Sequence, residues 1–362
     1  MKYSNFWKNK KVLVTGHTGF KGSWLSLWLL KTGADVLGFS LPPDSDLSLF
    51  EQLNLKGDLR HHLGDIRDID NMSKIFTKFK PDVVFHLAAQ PLVRASYRFP
   101  VDTWQTNVMG TIHVLELLKN LNQRCAAVFI TTDKCYENRE WEYGYRESDP
   151  LGGYDPYSSS KAGAEIAIAS WRNSFFKSLP VQIASARAGN VIGGGDWAKD
   201  RIVPDVMRSL QKGEAIPVRN PHATRPWQHV LEPLWGYMVL AEKLYNYKEN
   251  PNPLASSFNF GPNLSSNQKV CTLVEEILKH WDGKWNDCSD PASPHEASKL
   301  NLAIDKAFHQ LSWQPVWDFS TTIQMLVEWY KTSTEMNNLE IRDLSLSQIQ
   351  AYEQAQAVVS SE

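Results

Sequence analysis

The chain has 362 residues, a formal net charge of −2 and no block of like charges, which argues against nucleic acid and anionic membranes as main partners. Its length exceeds what one hydrophobic core usually serves, so we expect a main domain and a second lobe. The polar, basic N-terminus does not resemble a signal peptide, and no apolar run approaches the ~18 residues of a membrane span. The four cysteines lack the paired spacing of disulfide or zinc sites. The composition therefore predicts a cytoplasmic protein.

The first predicted strand, Lys11 to Thr15, leads into a glycine-rich turn and then into an apolar helical segment. The turn has the spacing Gly16-x-x-Gly19-x-x-Gly22 rather than Gly-x-Gly-x-x-Gly. A glycine-rich turn between a strand and a helix exposes backbone N–H groups and the helix N-terminus to a pyrophosphate. A merely structural turn is the alternative, but the place of this turn at the first strand–helix junction favours dinucleotide binding.

The second predicted strand, Ala34 to Ser40, lacks the acidic residue that usually binds the adenosine ribose about 20 residues after the glycines. The nearest acids, Asp44 and Asp46, lie beyond two prolines. The turn also lacks an Arg or Lys that would hold a 2′-phosphate. We therefore expect NAD rather than NADP, with Ser40 as a neutral contact.

The alternation of strands and helices continues beyond this point. Asp65, after the third predicted strand, is expected either to bind the adenine amino group or to cap the next helix, Ile69 to Phe79. The fourth strand, Asp82 to Ala89, runs into small side chains, which allow the backbone to approach a ligand closely. One long helix is predicted for Thr103 to Asn120.

The fifth predicted strand, Ala126 to Thr132, is followed at once by Asp133 and Lys134. In open α/β sheets, ligands bind at the carboxyl ends of the strands. Asp155-Pro156 has the sequence of an N-cap followed by proline at the first helical position.

Tyr157 and Lys161 therefore lie on one face of the next helix, in its first and second turns. A free tyrosine has a pKa near ~10, so almost none of it is ionised at neutral pH. A neighbouring ammonium favours the phenolate, and lowering the pKa by ~3 units requires about 4 kcal/mol. We expect Lys161 to make Tyr157 a general base in this way.

Val181 to Arg187 is the sixth predicted strand. Six strands separated by helices predict an α/β fold with a doubly wound parallel sheet, the Rossmann architecture. The expected NAD-binding domain comprises residues 1–187 and about 230–256. A smaller mixed α/β substrate-binding lobe takes 188–229 and 257–335, and 336–362 form a polar, helical C-terminal extension.

Several motifs occur in the order and on the elements that they occupy in extended short-chain dehydrogenases/reductases acting on sugar nucleotides. They are the glycine turn, Leu87-Ala88-Ala89-Gln90, Thr132 before Asp133, and Tyr157-x-x-x-Lys161. The chain resembles this family over roughly residues 8 to 331. Longer strings resemble the subgroup of CDP-glucose 4,6-dehydratases: Gly16 to Trp24, Thr131 to Tyr136, Arg187 to Trp197 and Arg225 to Val230.

The resemblance implies an NAD-dependent lyase that acts on CDP-glucose in the biosynthesis of 3,6-dideoxysugars of lipopolysaccharide. In the implied reaction the sugar C4 hydroxyl is oxidised, water is eliminated across C5–C6, and the hydride returns to C6. Tyr157 would take the O4 proton, Thr132 would hydrogen-bond O4, and Lys161 would lower the Tyr157 pKa and bind the nicotinamide ribose. Asp133 would protonate the departing C6 hydroxyl.

Lys134 departs from the pattern of the family, because many related dehydratases carry a Glu there as the C5 base. An ammonium cannot accept a proton. Three explanations are open: Lys134 has a lowered pKa, another group takes the C5 proton, or Lys134 serves the leaving group.

The resemblance also implies the ligand contacts. The expected NAD-binding residues are Gly16, Thr18, Gly19, Phe20, Lys21, Gly22, Ser40, Asp65, Ile66, Leu87, Ala88, Ala89, Gln90, Tyr157 and Lys161. The expected substrate-binding residues are Asn190, Arg208, Arg219 and Arg225, since a guanidinium can bind a diphosphate through two hydrogen bonds. Any single arginine is more often a solvated surface charge.

In the family, two long helices pair across a two-fold axis, and the corresponding segments here are Thr103 to Asn120 and Pro156 to Phe176. A homodimer is therefore expected, although the apolar stripes of these helices would equally serve to cover the sheet. Two other functions are open for the chain. One is an NAD-dependent sugar-nucleotide epimerase, and the other is a non-catalytic NAD(H)-binding regulator.

Overall fold

The computed structural model describes residues 5–45, 47–249, 251–289 and 299–359. Asp46 lies outside the described residues. A seven-stranded, all-parallel sheet forms the centre of the fold, in the order β11-β6-β5-β4-β1-β2-β3. Its strands are β1 (Lys11–Thr15), β2 (Asp35–Ser40), β3 (Arg60–Leu63), β4 (Val83–His86), β5 (Cys125–Ile130), β6 (Val181–Ala188) and β11 (Ser257–Phe260).

The predicted doubly wound sheet is confirmed, with one strand more than the six expected. The additional strand, Ser257–Phe260, was assigned to the smaller lobe from the sequence. It pairs in parallel with β6, Ser257 opposite Ser185 and Phe260 opposite Ala188. An isolated four-residue strand gives no information about its partner, so only the tertiary structure places it at the edge of the main sheet.

Alternating strand residues build a separate core on each face of the sheet. Val12 and Val14 face the core that includes the helix after β1, whereas Leu13 faces the opposite one. The first core is covered by α1 (Phe20–Lys31) and α9 (Leu231–Asn246). The second is covered by α3 (Ile69–Phe79), α6 (Gly110–Lys119) and α7 (Pro156–Ser174).

The single helix predicted for Thr103 to Asn120 is instead composite. It begins earlier, as α5 (Pro100–Trp104), passes through a π-helical segment (Gln105–Met109) and continues as α6. The wider turn carries Asn107, which bonds Gln90 N (2.8 Å), Gln90 O (3.1 Å) and Ser160 Oγ (2.9 Å). Such π-turns occur frequently at functional sites, and this one ties the loop after β4 to α7.

The remaining elements form a smaller region beside the carboxyl edge of the sheet. It contains three two-stranded pairs: β7 (Val191–Ile192) with β10 (Gln228–His229), β9 (Thr224–Pro226) with β12 (Asn267–Lys269), and β8 (Ile216–Val218) with β13 (Trp285–Asp287). The other helices are α2 (Leu49–Gln52), α4 (Val93–Arg98), α8 (Ile202–Lys212), α10 (Val270–Leu278), α11 (Asp305–Leu311) and α12 (Phe319–Ser333).

The C-terminal extension forms a long helix, α13 (Asn338–Val359), that packs against α1, α2 and α12. Glu353 accepts hydrogen bonds from Trp28 Nε1 (2.9 Å) and Lys31 Nζ (2.5 Å), both on α1. The fully buried Tyr352 donates to Glu232 Oε2 on α9 at 2.7 Å. The helix therefore braces the element that follows the glycine turn. No helix among the described residues is long and apolar enough to cross a membrane.

We expect the Glu232 side chain to make stability pH-dependent. Its burial raises the pKa from 4.5 to about 7, against the hydrogen bonds from Trp317 N, Tyr352 Oη and Val316 N. Because the folded pKa exceeds the unfolded one, the stabilisation is full below pH 4.5 and is lost as the pH rises to about 7. As the pH rises from 4.5 to about 7, the free energy of unfolding of the wild type should fall by about 3 kcal/mol relative to that of Glu232→Gln. Urea unfolding at both pH values measures this difference.

The matched control is Glu275→Gln, since Glu275 is exposed on α10. Its free energy of unfolding should vary with pH in the same way as that of the wild type. A Glu232→Gln variant whose stability relative to the wild type is the same in acid and at pH 8 would contradict the assignment.

Candidate active site

A cleft of about 1180 Å³ opens at the carboxyl edge of the sheet. The strand order reverses between β1 and β4, which are adjacent although the chain passes through β2 and β3 between them. Ligands bind at such switch points in open α/β sheets. The turns after β1, β4, β5 and β6 all contribute to the wall of this cleft.

The turn after β1 has the close packing that only glycine permits at two of its three positions. Gly16 has φ +77°, and a Cβ there would lie 2.7 Å from Ala88 N. A Cβ on Gly22 would lie 2.1 Å from the Gly16 carbonyl oxygen. Gly19 precedes the first residue of α1, so the free N–H groups of the helix start face the cleft. This cradle fits a dinucleotide pyrophosphate.

At the end of β2, Ser40 Oγ and Thr18 Oγ1 are 2.8 Å apart, and Thr18 also donates to Leu41 O. Both side chains line the cleft and offer neutral hydroxyls. The cleft wall here therefore offers hydroxyl groups, as the expected neutral contact at Ser40 requires.

Asp65 also lines the cleft, but its carboxylate is held by Arg67 at 2.6–3.1 Å, and this ion pair lowers its pKa. Asp65 does not cap α3. The N-cap is Asp68, which accepts from Asn71 N at 3.0 Å. The buried Ile66 packs against Gly110, where a Cβ would lie 2.5 Å from its Cδ1.

The segment after β4 contributes backbone and small side chains to the cleft through Leu87, Ala88 and Ala89. The Gln90 side chain is instead bound within its own loop, to Leu92 N (2.6 Å), Leu92 O (3.2 Å) and Thr103 Oγ1 (2.9 Å). Gln90 thus fixes the loop. His86, at the end of β4, is buried and hydrogen-bonded to Thr15 and Thr111.

The predicted start of α7 is confirmed. Asp155 is the N-cap and accepts from Tyr157 N (2.9 Å) and Ser158 N (3.0 Å), and Pro156 is the first helical residue. Tyr157 N also lies 3.1 Å from Ser96 Oγ on α4. Tyr157 and Lys161 are therefore held in the first two turns, facing the cleft.

The pKa of Tyr157 differs from the expectation. Burial raises it to about 12, and the hydrogen bond with Thr132 and the charge of Arg201 offset only part of this rise. Burial lowers the pKa of Lys161 to about 8, with Glu165 acting in the opposite direction. The free-energy cost of burying a phenolate exceeds the stabilisation that the nearby positive charge provides. Tyr157 is therefore a phenol at neutral pH in the protein without ligands.

The residues after β5 form one hydrogen-bonded cluster beside Tyr157. Thr132 Oγ1 donates to Asp133 Oδ1 at 2.9 Å. Lys134 Nζ lies 3.4 Å from the same oxygen and 3.3 Å from Asn190 Oδ1 on the loop after β6. The structure thus brings Thr132, Asp133, Lys134 and Asn190 together.

Asp133 lies deeper than its expected role as a substrate-facing acid requires. It is 0% exposed, and its Oδ2 atom has no hydrogen-bond partner among the described residues. A Cβ added to Gly189 would lie 2.7 Å from that oxygen. Thr132 and Lys134, not Asp133, line the cleft.

Two further cations lie at this end of the cleft. Burial lowers the pKa of Lys21 to about 7, and the charges of Arg201, Lys161, Asp133 and Lys134 act on it. Sequence reasoning missed Arg201, which pairs with Asp196 Oδ2 at 2.9 Å and whose charge lowers the Tyr157 pKa. An arginine in a polar Lys-Asp-Arg string carries no signal that distinguishes it from a surface charge.

The three arginines expected to bind substrate have different environments. Arg219 and Arg225 line the cleft. Arg219 pairs with Asp200 (2.9 Å) and Asp205 (3.2 Å), and Arg225 Nη1 donates to Thr224 O at 3.0 Å. Arg208 is bound to the carbonyls of Trp197 and Ala198 and to Asp205, so it fixes the start of α8.

Comparisons with known proteins agree with this geometry. The family model described as GDP-mannose 4,6 dehydratase matches residues 13–326. The chain is 49% identical to CDP-glucose 4,6-dehydratase of Salmonella typhimurium, over 90% of this chain and 92% of that protein. It is 32% identical to CDP-paratose 2-epimerase of Salmonella typhi (88% and 98%) and 26% identical to dTDP-glucose 4,6-dehydratase of Haemophilus influenzae (88% and 97%).

Two solved structures have the same fold. One is UDP-glucose 4-epimerase of Thermotoga maritima with UDP-glucose, with a TM-score of 0.76 and 21% identity over 90% of this chain and 100% of that chain. The other is dTDP-glucose 4,6-dehydratase of Bacillus anthracis in complex with NAD, with a TM-score of 0.75 and 21% identity (90% and 98%). From the family match and the identity to its relatives, the chain belongs to the GDP-mannose 4,6-dehydratase family of extended short-chain dehydrogenases/reductases.

Proposed function

We propose that this chain is an NAD-dependent lyase that converts CDP-glucose to CDP-4-dehydro-6-deoxyglucose and water. One observation carries the proposal: the same cleft is lined by the glycine turn and by Thr132, Lys134, Tyr157 and Lys161. The 49% identity to a CDP-glucose 4,6-dehydratase over nearly the whole of both chains supports the choice of nucleotide. Such a product is a precursor of deoxysugars, including the 3,6-dideoxysugars of lipopolysaccharide.

The cofactor proposed for this cleft is NAD. The turn from Gly16 to Gly22 would receive its pyrophosphate, the hydroxyls of Thr18 and Ser40 would face the adenosine ribose, and Lys161 would bind the nicotinamide ribose. When bound, NAD accepts a hydride from the sugar in the first step and returns it in the last. Lys21 and Phe20 lie in the first turn of α1, at the cofactor side of the cleft.

In the oxidation step, Tyr157 and Thr132 would bind the sugar O4 and remove its proton. Their hydroxyls interact with each other, and both line the cleft. The positive charge of Arg201 opposes the burial that raises the pKa of Tyr157, and Lys161 lies one turn further along α7. Arg201 therefore offsets part, and only part, of the cost that burial adds to the loss of the phenolic proton.

In the elimination step, a C4 ketone makes the C5 proton acidic and the C6 hydroxyl leaves as water. Lys134 occupies the cleft wall in front of the buried Asp133, within 3.4 Å of its carboxylate. We assign both proton transfers to the Lys134–Asp133 pair, which acts as the acid: the Lys134 ammonium donates a proton to the departing C6 hydroxyl, and the amine that remains takes the C5 proton. Asn190 would hold the Lys134 ammonium from the other side.

We also propose that the protein is a homodimer that acts in the cytoplasm. The surface formed by α5, the π-helical segment and α7 exposes large apolar side chains, including Val101 (68%), Trp104 (43%), Met109 (45%) and Ile166 (59%). A contiguous apolar surface of this kind usually marks an interface. A second copy of the chain, placed across a two-fold axis, would cover it with an identical surface.

The test of the function is mass spectrometry of CDP-glucose after incubation with the protein and NAD in heavy water. We expect a product lighter by one water that carries one solvent deuterium at C5, because the C5 proton is removed and later replaced. An unchanged mass with inverted C4 would contradict the proposal in favour of an epimerase. A protein that binds NAD but leaves CDP-, dTDP- and GDP-glucose unchanged would be a non-catalytic binder.

Two variants separate the steps of the reaction. Tyr157→Phe should slow oxidation by at least about 100-fold, because the group that accepts the O4 proton is lost. Asp133→Asn should spare oxidation but slow the loss of water, so that NADH accumulates and is seen by its near-ultraviolet absorbance. Asp70→Asn, an exposed substitution on α3, is the control. An Asp133→Asn enzyme with the wild-type turnover would exclude Asp133 as the acid.

The interface is tested by Ile166→Glu, which places a charge on the exposed apolar surface of α7. We expect the molar mass from light scattering to fall from that of a dimer to that of a monomer, with unchanged circular dichroism. Leu264→Glu is the control, because Leu264 is 73% exposed and lies outside these helices. A wild-type protein that is monomeric at all concentrations would refute the dimer.

A further inference from the structure

One pair of buried charges lies beneath Lys161 and has no part in the proposed chemistry. Glu165 follows Lys161 by one turn of α7, and Arg187 lies near the end of β6. Arg187 Nη2 and Glu165 Oε2 are 2.7 Å apart, and the two side chains are 4% and 2% exposed. Taking two charges out of water costs several kcal/mol per ion unless the partners compensate.

The carboxylate of Glu165 has hydrogen bonds at both oxygens. Its Oε1 accepts from Thr131 Oγ1 at 2.5 Å, and its Oε2 accepts from Ser185 Oγ at 2.8 Å as well as from Arg187. The Arg187 charge and these hydrogen bonds outweigh burial and lower the pKa of Glu165. Glu165 is therefore a fixed anion inside the protein.

Lys161 lies one turn before that anion on α7. Among the described residues, the hydrogen bond of its ammonium is to Ile130 O at 3.3 Å. Burial lowers its pKa to about 8, and the largest opposing influence is Glu165. Without Glu165, burial would lower the pKa of Lys161 further.

Charged and titratable groups on several elements interact with Lys161. Cys135 after β5 and Glu165 on α7 favour the ammonium, and the charges of Lys161 and Lys21 on α1 oppose each other. Burial, together with the charge of Lys161, lowers the pKa of His86 on β4 to about 3, so this imidazole is neutral near pH 7. The charge of Arg187 on β6 favours the ionised form of Glu165, and the charge of Glu165 opposes the burial that lowers the pKa of Arg172 on α7. Glu165 is thus the one carboxylate acting on this lysine among the described residues.

Arg187 extends the same network to the far side of Asp133. Its Nη1 donates to Tyr136 Oη at 2.7 Å and to Glu147 O at 3.2 Å. Tyr136 in turn donates to Asn259 Oδ1 on β11 at 2.7 Å. Since Thr131 is bound to Glu165, the pair holds the chain both before and after Asp133.

We propose that the buried Glu165–Arg187 pair is a positioning unit for the catalytic residues. Glu165 keeps Lys161 as an ammonium, and the pair together fixes the segment from Thr131 to Tyr136 against α7. Lys161, Glu165 and Arg187 then form a row of positive, negative and positive charges. The inference deepens the proposed function, because it explains what keeps the lysine of the oxidation step charged.

Competitive labelling tests this without any substrate. A trace acylating reagent reacts only with neutral amines, so its rate at Lys161 against pH, read peptide by peptide by mass spectrometry, gives the pKa of that residue. We expect a value near 8 in the wild type and a fall of about one pH unit or more in Glu165→Gln. Ser185→Ala is the matched control, since it removes one hydrogen bond to the same carboxylate without changing any charge.

A double variant covers the case in which Glu165→Gln leaves Arg187 unpaired and unfolds. Glu165→Gln with Arg187→Met removes both charges, and buried ion pairs replaced by neutral groups often retain stability. The folded double variant should also show a lowered pKa for Lys161, by less than the single variant, because the loss of the Arg187 charge acts in the opposite direction. A wild-type pKa for Lys161 in either folded variant would overturn the proposal.

Activity gives a second readout. In Glu165→Gln, kcat should fall more at pH 8 than at pH 6, because acid restores the ammonium. An equal loss at both pH values would mean that the pair has only a structural role. An inactive wild type with the expected labelling pattern would refute the lyase and leave the electrostatic inference intact.

Discussion

The free-energy cost of placing charges away from water is the constraint on which this site depends. Asp133, Glu165 and Arg187 are all nearly inaccessible to solvent, yet they lie within a few residues of the proposed reacting groups. Burial raises the pKa of Tyr157 and lowers that of Lys161, which disfavours the charged forms that catalysis requires. Fixed opposite charges near these groups offset part of that cost. Among the ion pairs of the described residues, Glu165–Arg187 is the most completely buried.

The same network explains why elements distant in sequence converge at the cleft. Glu165 on α7 is bound to Thr131 just after β5 and to Ser185 of β6, and Arg187 is bound to Ser257 of β11. Each buried donor or acceptor left without a partner would cost about 1–3 kcal/mol. Making these hydrogen bonds at the same time requires β5, β6, β11 and α7 to keep one relative position.

The C-terminal helix supports the opposite side of the cleft. It contacts α1 through Glu353 and α12 through the hydrogen bond from Trp329 Nε1 to Ser345 Oγ at 2.9 Å. The neighbouring Tyr330 donates to Asp196 O at 2.6 Å, and Asp196 holds Arg201. The C-terminal extension, for which no role is predicted from the sequence, thus belongs to the series of contacts that hold the Arg201 cation near Tyr157.

The sequence by itself determined the class of the fold, the glycine turn, the start of α7 and the pairing of Tyr157 with Lys161. These features are local: strand and helix periodicity, an N-cap followed by proline, and a spacing of four residues on a helix. The resemblance to nucleotide-sugar dehydratases was also contained in short strings.

Only the tertiary structure decided which polar residues share an environment. It set Ser257–Phe260 in the main sheet, turned the Gln90 side chain into its loop, and buried Asp133 behind Thr132 and Lys134. It also reversed the expected direction of the Tyr157 pKa and brought Arg201 to the cleft. The physical reason is that burial, and with it the strength of every charge interaction, depends on neighbours that are far apart in the chain.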